Sequence, residues 1–419
     1  MLPRTRSWML PIFVVILSFL TFYTPTAHAG QISAPTTPFS IYGSAATIDS
    51  EGALIVIGSS GSFSNGQSQA FWFKYSPTGQ PLCMNTFGDA EPLQTFGYGV
   101  TTDSSDNIYV TGATQTFGGE DYDVFLQEFT SSCNLLHNTV QWGGEGNDIP
   151  RGIAADALGD VYIAGSTDSF SNGRTDIFLL KYTGIDNEFQ FSVTWGSGTG
   201  NSYGNGVAVD NLGDVYVVGT TTTNSYQAAA TDIVLLKYDS SGNLLFKRTW
   251  GGQLNNYGTG VAVDNAGNVY VTGYTYSLGP TPGISSVVLL KYDPYGNLLS
   301  QKIWGGIEND YAQAVTVDFD GNVYLTGFTK SYSIAPEIPS AFLLKYDPAG
   351  NLLFQKIWGG HRGDFGYGIA VDLRENVWVT GYTYSFGANS QGTNFFILKY
   401  DISGNLVSQR IYSGGTPDP

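Results

Sequence analysis

The chain has 419 residues, of which 42% are hydrophobic and 13% are charged, so it holds enough apolar material for a large core. Its formal net charge is −17, with 18 basic residues against 35 acidic ones. Because such a surface repels phosphate backbones and anionic membranes, the composition argues against nucleic acid as a partner.

Residues 1–29 have the pattern of a secretory signal peptide. Arg4 and Arg6 precede the apolar segment Met9–Tyr23, and Ala27-His28-Ala29 is a small-x-small cleavage site, which predicts a mature chain beginning at Gly30. The alternative is a retained membrane anchor, but the apolar segment is shorter than the roughly 20 residues that a spanning helix needs. We therefore expect a secreted protein, or one at the extracytoplasmic cell surface, with no membrane span after cleavage.

The rest of the chain repeats itself seven times with a period of 54 residues, shortened once to 53. An aspartate marks each copy, at Asp49, Asp103, Asp156, Asp210, Asp264, Asp318 and Asp372. A glycine follows it by nine residues, at Gly58, Gly112, Gly165, Gly219, Gly273, Gly327 and Gly381. Such a period indicates that one supersecondary unit has been copied.

The fifth repeat shows what one unit contains. Four runs rich in Val, Leu, Ile, Tyr and Trp predict β-strands over Gly260–Asp264, Asn268–Gly273, Ser286–Tyr292 and Asn297–Trp304. Asp-x-x-Gly-Asn sequences join the first run to the second and the third to the fourth, and this is hairpin-turn chemistry. Each unit is therefore predicted to be a four-stranded antiparallel meander.

These strands are apolar on both faces, so each sheet must be covered on both sides. Seven sheets cover one another when they pack around a common axis, which predicts an all-β fold, a single seven-bladed β-propeller over residues 42–415. A sandwich or an open solenoid is the alternative. The predicted order is signal peptide 1–29, lead segment 30–41, repeats near 42–95, 96–148, 149–202, 203–256, 257–310, 311–364 and 365–415, and tail 416–419. Ring closure stays open, because residues 31–41 can add a strand.

The repeat also resembles a known family. The motif D-x-x-G-N-V-Y-V-T-G, followed by L-L-K-Y-D and W-G-G, resembles the SBBP (seven-bladed β-propeller) repeat family of exported prokaryotic proteins. The motif is clearest at Asp210–Gly219, Asp264–Gly273 and Asp318–Gly327. The resemblance covers residues 42–415. It implies a structural and interaction scaffold with no shared catalytic motif, so it assigns no active-site residue.

The spacing distinguishes the two faces of the predicted ring. The hairpins are nearly constant in length and lie on one side, which we call the hairpin face. The connections from second to third strand and from one unit to the next lie on the other side and differ in length and composition. We call this side the variable-loop face and expect binding there, because variable loops on a rigid frame usually carry it.

Most recurring side chains are predicted to serve the blades themselves. Trp142, Trp195, Trp250, Trp304 and Trp358 share one register and are expected to seal blade against blade, with sugar stacking as the alternative. Lysines recur in the third strand at Lys74, Lys181, Lys237, Lys291, Lys345 and Lys399, and the recurring aspartate is their candidate partner.

The candidate binding residues lie on the variable-loop face. Asp148, Asp310 and Asp364 follow their tryptophans by six residues, and Asn256 has the same place in the fifth unit. Across a ring they form a partial circle that suits a glycan or calcium, although each can instead cap its own loop. Tyr276 and Tyr384 are the aromatic candidates on this face. We expect no cofactor, with calcium as the alternative, and a solvated loop at Asp121 and Asp123.

Two cysteines, Cys83 and Cys133, lie in corresponding parts of adjacent units. In an exported protein they can form a disulfide, and the alternative is two unreactive thiols. Neither has the spacing of a metal site or of a redox CxxC motif. The sequence leaves this choice open.

The function hypotheses follow from these features. The first is an exported, non-catalytic binding or scaffold protein, expected to be a monomer, that presents its variable-loop face to a glycan, a surface polymer or a protein. The second is a carbohydrate-active lyase or glycosidase with acids and aromatics near the central channel, and the third is a structural role in an envelope layer. A Ser-His-Asp hydrolase is disfavoured, because His137 is expected on an outer strand and His361 on a loop, without a nucleophile motif.

Overall fold

The computed structural model describes residues 41–61, 68–87, 94–115, 121–171, 173–184, 186–223, 230–387, 392–413 and 416–417. The chain divides into two compact units, Met1–Ser33 and Ala34–Pro419, and every described residue belongs to the second. The predicted signal peptide and residues 30–40 of the lead segment lie outside the described residues. In the described part of the chain, no helix is long and apolar enough to cross a membrane.

The described residues form seven sheets, each built from strands that are consecutive in the chain. The innermost strands are β1 (Ile41–Ile48), β5 (Thr95–Thr102), β9 (Asp148–Ala155), β13 (Ser202–Val209), β17 (Asn256–Val263), β21 (Asp310–Val317) and β25 (Asp364–Val371). The second strands are β2 (Leu54–Ser60), β6 (Ile108–Gln115), β10 (Val161–Thr167), β14 (Val215–Thr223), β18 (Val269–Thr275), β22 (Val323–Thr329) and β26 (Val377–Thr383). The third strands are β3 (Gln69–Tyr75), β7 (Tyr122–Phe129), β11 (Asp176–Tyr182), β15 (Ala230–Tyr238), β19 (Ser286–Tyr292), β23 (Ser340–Tyr346) and β27 (Asn394–Tyr400). The outermost strands are β4 (Pro81–Phe87), β8 (Val140–Trp142), β12 (Phe189–Trp195), β16 (Leu244–Trp250), β20 (Leu298–Trp304), β24 (Leu352–Trp358) and β28 (Leu406–Ser413), and a short β29 (Thr416–Pro417) follows.

Each sheet is an antiparallel meander in strand order one to four, and the seventh carries β29 as a fifth strand. The predicted seven-bladed propeller is therefore confirmed, and the sandwich and solenoid alternatives fail. One prediction within the blade was wrong at its start. The innermost strand of the fifth blade begins at Asn256 rather than Gly260, because it continues past an irregularity between Gly258 and Gly260 that hides its pattern.

The hairpin turns use the aspartate that marks the repeat. Asp264 Oδ1 accepts the backbone N–H groups of Ala266 and Asn268, at 3.0 and 2.8 Å. Its Oδ2 accepts from the Asn268 amide at 2.8 Å and from the Tyr270 hydroxyl at 3.1 Å. Gly267 has φ +80°, which a side chain would strain. This arrangement ties the turn to the second strand and explains the fixed spacing.

The core lies between the blades rather than within them. One buried cluster joins Tyr270 and Leu289 of blade 5 to Leu325, Phe342 and Leu344 of blade 6. Equivalent clusters join the other neighbouring pairs of blades. Because each sheet is apolar on both faces, every blade needs two neighbours to remove its surface from water.

The ring closes by face packing between blades 7 and 1. Phe395 and Tyr412 of blade 7 share a buried cluster with Val56 and Phe71 of blade 1. The Lys399 ammonium of blade 7 donates to the Pro77 carbonyl of blade 1 at 2.8 Å. Among the described residues, each of these two blades takes all four of its strands from its own repeat.

The recurring tryptophans and lysines also join neighbouring blades. Trp304 of blade 5 packs on Phe342 of blade 6 at 5.0 Å between ring centroids, and its indole N–H donates to Gln355 at 3.0 Å. Lys74 pairs with Asp49 at 2.9 Å, whereas Lys291 donates to the Pro348 carbonyl of the next blade at 3.0 Å. The tryptophans therefore form the predicted seals. The recurring aspartate is only an occasional partner of the lysine, since the turn and a tyrosine already occupy it.

Cys83 and Cys133 form a disulfide, with their Cα atoms 6.5 Å apart. Cys83 lies in β4 of blade 1, and Cys133 lies in the hairpin that follows β7 of blade 2. The bond therefore links two neighbouring blades across a sequence separation of 50 residues.

Candidate functional site

A cavity of about 1260 Å³ runs along the centre of the ring and is lined by residues of all seven innermost strands. Its lining also includes Asn147, Asp168, Asn201, Thr222 and Thr231, which lie where strands end on the variable-loop face. The channel therefore opens on the face for which the sequence predicts binding. This placement makes the channel mouth the candidate site.

The channel wall is shaped by an irregularity in the innermost strand of every blade. In blade 5 the pairing with β18 passes from Gly258 directly to Gly260, so Thr259 is an extra, unpaired residue. A bulge of this kind turns one more side chain out of the ladder. The same shift occurs in the other six blades.

The bulged residues form a ring that lines the cavity, which we call the bulge ring. Its members are Ser44, Tyr98, Arg151, Asn205, Thr259, Gln313 and Tyr367. All seven are polar, and only tyrosine occurs twice. The bulge ring thus breaks the symmetry that the rest of the blade keeps, as expected of residues that meet a single ligand.

The residue after each bulge is glycine or alanine, and this allows the innermost strands to approach each other closely. A Cβ added at Gly152 would lie 2.9 Å from the Val207 backbone nitrogen of the next blade. A Cβ at Gly99 would lie 2.9 Å from a methyl carbon of Ile153. The small residues therefore permit a narrow ring of strands while the bulges supply the polar wall.

An arc of seven aromatic side chains lies nearer the channel mouth, which we call the aromatic arc. It consists of Tyr257, Tyr274, Tyr311, Phe328, Phe365, Tyr382 and Tyr42, from blades 5, 6, 7 and 1. The successive ring centroids are 4.8, 4.8, 4.8, 4.9, 4.9 and 5.0 Å apart. Rings within a blade are tilted by 24–32°, and rings of neighbouring blades meet edge-on at 70–84°.

Part of the aromatic arc lines the channel. Tyr42, Tyr257, Tyr274 and Tyr382 line the cavity, and Tyr42 is 38% exposed. Burial raises the pKa of Tyr274 to about 12. These four tyrosines therefore offer part of their ring surface and their hydroxyl groups to the channel.

The second strands of blades 1 to 4 differ from those of blades 5 to 7. At the position that Tyr274, Phe328 and Tyr382 occupy, they carry Ser59, Ala113, Ser166 and Thr220. This second-strand position is thus aromatic in blades 5 to 7 and small in blades 1 to 4. This asymmetry is independent of the loops.

The structure places the four predicted polar site residues inside the blades rather than at the mouth. Asp148, Asn256, Asp310 and Asp364 are each 0% exposed. Asp364 accepts from Thr383, from the Ser385 hydroxyl at 2.7 Å and from the Gly360 N–H at 2.8 Å. Burial raises the pKa of Asp364 and of Asp148. They hold their own loops, as in the alternative that the sequence left open, and do not form a circle.

The two predicted tyrosines lie beside the aromatic arc. The Tyr276 hydroxyl is 3.3 Å from the Tyr311 hydroxyl, and Tyr384 is 39% exposed. The Tyr384 ring meets Tyr382 edge-on at 6.0 Å. Both predicted tyrosines thus lie next to the aromatic arc, which the sequence analysis did not identify. The signal was a second aromatic directly after the repeat glycine in repeats 5, 6 and 7.

Other predicted chemistry is not assembled at the channel. Within the described ranges, no three His, Cys, Asp or Glu side chains are arranged to hold a metal ion. His137 was expected on an outer strand but precedes the shortened β8, and its Nδ1 is 2.7 Å from the buried Glu128 carboxylate. His361 lies on a variable loop, as expected. Asp123 is not on a solvated loop but in β7, with a buried oxygen.

The fold and the repeated bulge define the class of protein, a β-propeller repeat protein. The SBBP family, described as a beta-propeller repeat, matches residues 91–116, 139–172, 190–227, 250–280 and 357–387. The family model therefore matches five separate segments of this chain, all within its propeller repeats.

Two curated proteins are similar over parts of the chain. "Uncharacterized WD repeat-containing protein L264" of Acanthamoeba polyphaga mimivirus is 26% identical, over 46% of this chain and 18% of that protein. "Regulatory protein FlaEY" of Caulobacter vibrioides is 31% identical, over 24% of this chain and 12% of that protein. The chain therefore spans less than a fifth of either relative.

Solved structures share the fold at low identity. A puromycin hydrolase mutant has a TM-score of 0.52 and 9% identity, over 90% of this chain and 54% of that chain. The Pan2 WD40 domain of Neurospora crassa has a TM-score of 0.50 and 8% identity, over 80% of this chain and 85% of that one. These similarities concern the fold alone.

Proposed function

We propose that this protein is an exported, non-catalytic binding protein that holds a glycan at the mouth of its central channel on the variable-loop face. The observation that carries the proposal is the aromatic arc, with seven rings in contact over four consecutive blades. Exposed aromatic faces with hydroxyl edges stack on the apolar faces of sugar rings and bond to their hydroxyl groups. Export and a place at the cell surface belong to the same proposal.

The bulge ring supports a saccharide as the ligand. In each innermost strand, the bulged residue comes two positions after the arc position that Tyr42 and Tyr257 occupy. At the usual rise per residue, the bulge ring is therefore about 7 Å deeper in the channel than the arc. Its hydroxyl and amide groups donate and accept hydrogen bonds, as sugar hydroxyls do, and two of them, on Asn205 and Thr259, already donate to backbone carbonyls of the next blade. A ligand on the aromatic arc therefore reaches hydrogen-bonding partners without leaving the channel.

The glycosidase alternative needs two carboxylates about 5–10 Å apart at one site. Among the described residues that line the channel, Asp168 is the one carboxylate, and it accepts a hydrogen bond from Thr175 at 2.7 Å. The described channel lining therefore favours binding over hydrolysis.

The test is a glycan array followed by calorimetry on the purified protein. The double variant Tyr274→Thr, Tyr382→Ser replaces two arc residues with those that Thr220 and Ser59 supply at equivalent positions. Two lost aromatic contacts, each worth about 0.5–1.5 kcal/mol, should weaken glycan binding roughly 5- to 160-fold. Tyr295→Ser, on a 78% exposed residue of the hairpin face, is the control and should bind normally. Unchanged binding by the double variant, or no glycan bound by the wild type, would refute the proposal.

A further inference from the structure

Arg151 differs from the rest of the channel wall. It is the cationic member of the bulge ring and the single cationic side chain among the described residues that line the cavity. The chain as a whole has nearly twice as many acidic as basic residues, 35 against 18. A cation at the centre of an acidic molecule therefore needs a reason.

The guanidinium of Arg151 has no counter-charge within the described residues. No carboxylate among them lies within the 4.0 Å that defines an ion pair. Its Cζ atom lies 4.6 Å from the centroid of the Tyr98 ring, which is the preceding member of the bulge ring. A cation–π contact of this kind holds the guanidinium in place without neutralising its charge.

The other members of the bulge ring do not oppose an anion. They carry hydroxyl and amide groups and no carboxylate. The one lining acid, Asp168, lies just past the end of β10 on the variable-loop face and is bonded to Thr175. The middle of the channel thus has one positive charge surrounded by neutral hydrogen-bond donors and acceptors.

We propose that the channel recognises an acidic oligosaccharide, with a uronic-acid carboxylate bound by Arg151 of blade 3 and another pyranose ring of the same ligand stacked on the aromatic arc across the channel. This proposal rests on the proposed glycan-binding function and names its ligand class. The planar guanidinium fork matches a carboxylate and binds it with two parallel hydrogen bonds. The acidic surface outside the channel repels the same ligand, which confines binding to the mouth.

The experiment compares hexagalacturonate with its fully methyl-esterified form by titration calorimetry. The variant Arg151→Gln introduces the residue that blade 6 already carries at this position, Gln313, so the bulge is kept. Arg151→Lys keeps the charge but loses the fork. Lys247→Gln removes one positive charge from β16, an outer strand, and is the matched control. A sulfated hexasaccharide of similar length tests whether any anion suffices.

The wild type should bind the acid at least tenfold more tightly than the ester. Arg151→Gln should lower acid binding to the level of the ester and leave ester binding unchanged, whereas Lys247→Gln should change neither. Arg151→Lys should fall between wild type and Arg151→Gln. Equal binding of acid and ester by the wild type, or full acid binding by Arg151→Gln, would overturn the proposal.

Three further outcomes bear on this proposal and on the glycan-binding function beneath it. Tighter binding of the sulfated probe than of hexagalacturonate would overturn the assignment of a carboxylate. If the double arc variant loses ester binding while Arg151→Gln has no effect, the aromatic arc binds sugar and the acidic ligand is wrong. If the wild type binds neither form, the acidic ligand is also wrong.

Discussion

The replacement Asp123→Ser should stabilise the protein at neutral pH, because it removes an excess buried charge. At the variable-loop end of several interfaces between blades, a third-strand residue lies near the first residue of the next innermost strand. These pairs are Asp123–Asp148, Asp232–Asn256, Ser286–Asp310 and Ser340–Asp364. Only the first of these pairs has two carboxylates. A Cβ at Gly143 would collide with Asp123 Oδ1 and lie 2.9 Å from Asp148 Oδ2, so the two groups border the same small space.

The magnitude follows from the pKa of Asp123. Burial first, then the charges of Asp148 and Asp121, raises this pKa from 3.8 to about 6. Such a shift corresponds to about 3 kcal/mol, and partial exposure of the side chain reduces this to about 1–2 kcal/mol. Because the pKa of Asp123 is higher in the folded than in the unfolded state, ionising this carboxyl lowers the free energy of unfolding. The penalty is absent below pH 4, grows between pH 4 and 6 and is complete above pH 7.

The assay is urea unfolding of wild type and Asp123→Ser at pH 3.5 and pH 7.5. The variant should be more stable by about 1–2 kcal/mol at pH 7.5 and equal to wild type at pH 3.5. Asp320→Ser, at an exposed turn position of the hairpin face, changes the net charge equally and should show no such pH dependence. A gain of equal size at both pH values would show that the charge of Asp123 is not its cause. No gain at pH 7.5 would refute the reasoning.

Three other predictions concern single features of the fold. Gly267→Val should lower the free energy of unfolding by about 2 kcal/mol, because φ at this position is +80° and a Cβ would lie 3.1 Å from the Pro294 ring. Ala266→Val, in the same turn, is the control and should be nearly neutral in the same urea titration. His137→Ala should lower the free energy of unfolding by about 1–3 kcal/mol, because it removes the imidazole that lies 2.7 Å from the buried Glu128 carboxylate. His361→Ala, on an exposed loop, is the control and should leave the melting temperature unchanged. Replacing Cys83 and Cys133 together by serine should lower stability by about 2–4 kcal/mol under oxidising conditions; equal stability with and without a reductant for the wild type would contradict this.

The ring could be predicted from the sequence because the features that build it recur in every repeat. Asp264 and Gly267 form a hairpin turn whose aspartate recurs in every blade, and the residue with positive φ is glycine in five blades and Asp106 or Glu375 in the other two. The glycine after each tryptophan is equally constrained, since a Cβ at Gly305 would lie 2.7 Å from Asp310 Oδ2. Because these interactions are local to each repeat, they produce a periodic pattern that a single sequence reveals.

The site could not be predicted in the same way, because it arises only when the ring closes. Tyr311 and Phe328 are ordinary strand residues within repeat 6, and they join one arc only when Tyr274 and Phe365 of the neighbouring blades meet them. Asp364 misled the prediction for the opposite reason. Its sequence position places it at the variable-loop face, but a buried threonine and serine hold its carboxylate inside the blade.

The bulge in the innermost strand explains how a repeat protein can vary its site without disturbing its fold. The bulged residue is excluded from the ladder, so Arg151 and Gln313 occupy equivalent positions although their side chains differ in charge. The glycine or alanine after it keeps neighbouring strands in close approach whatever side chain the bulge carries. Selection can therefore change seven channel residues one at a time at little cost in stability. In this chain the outcome is a bulge ring with one charged member, Arg151, set below the aromatic arc.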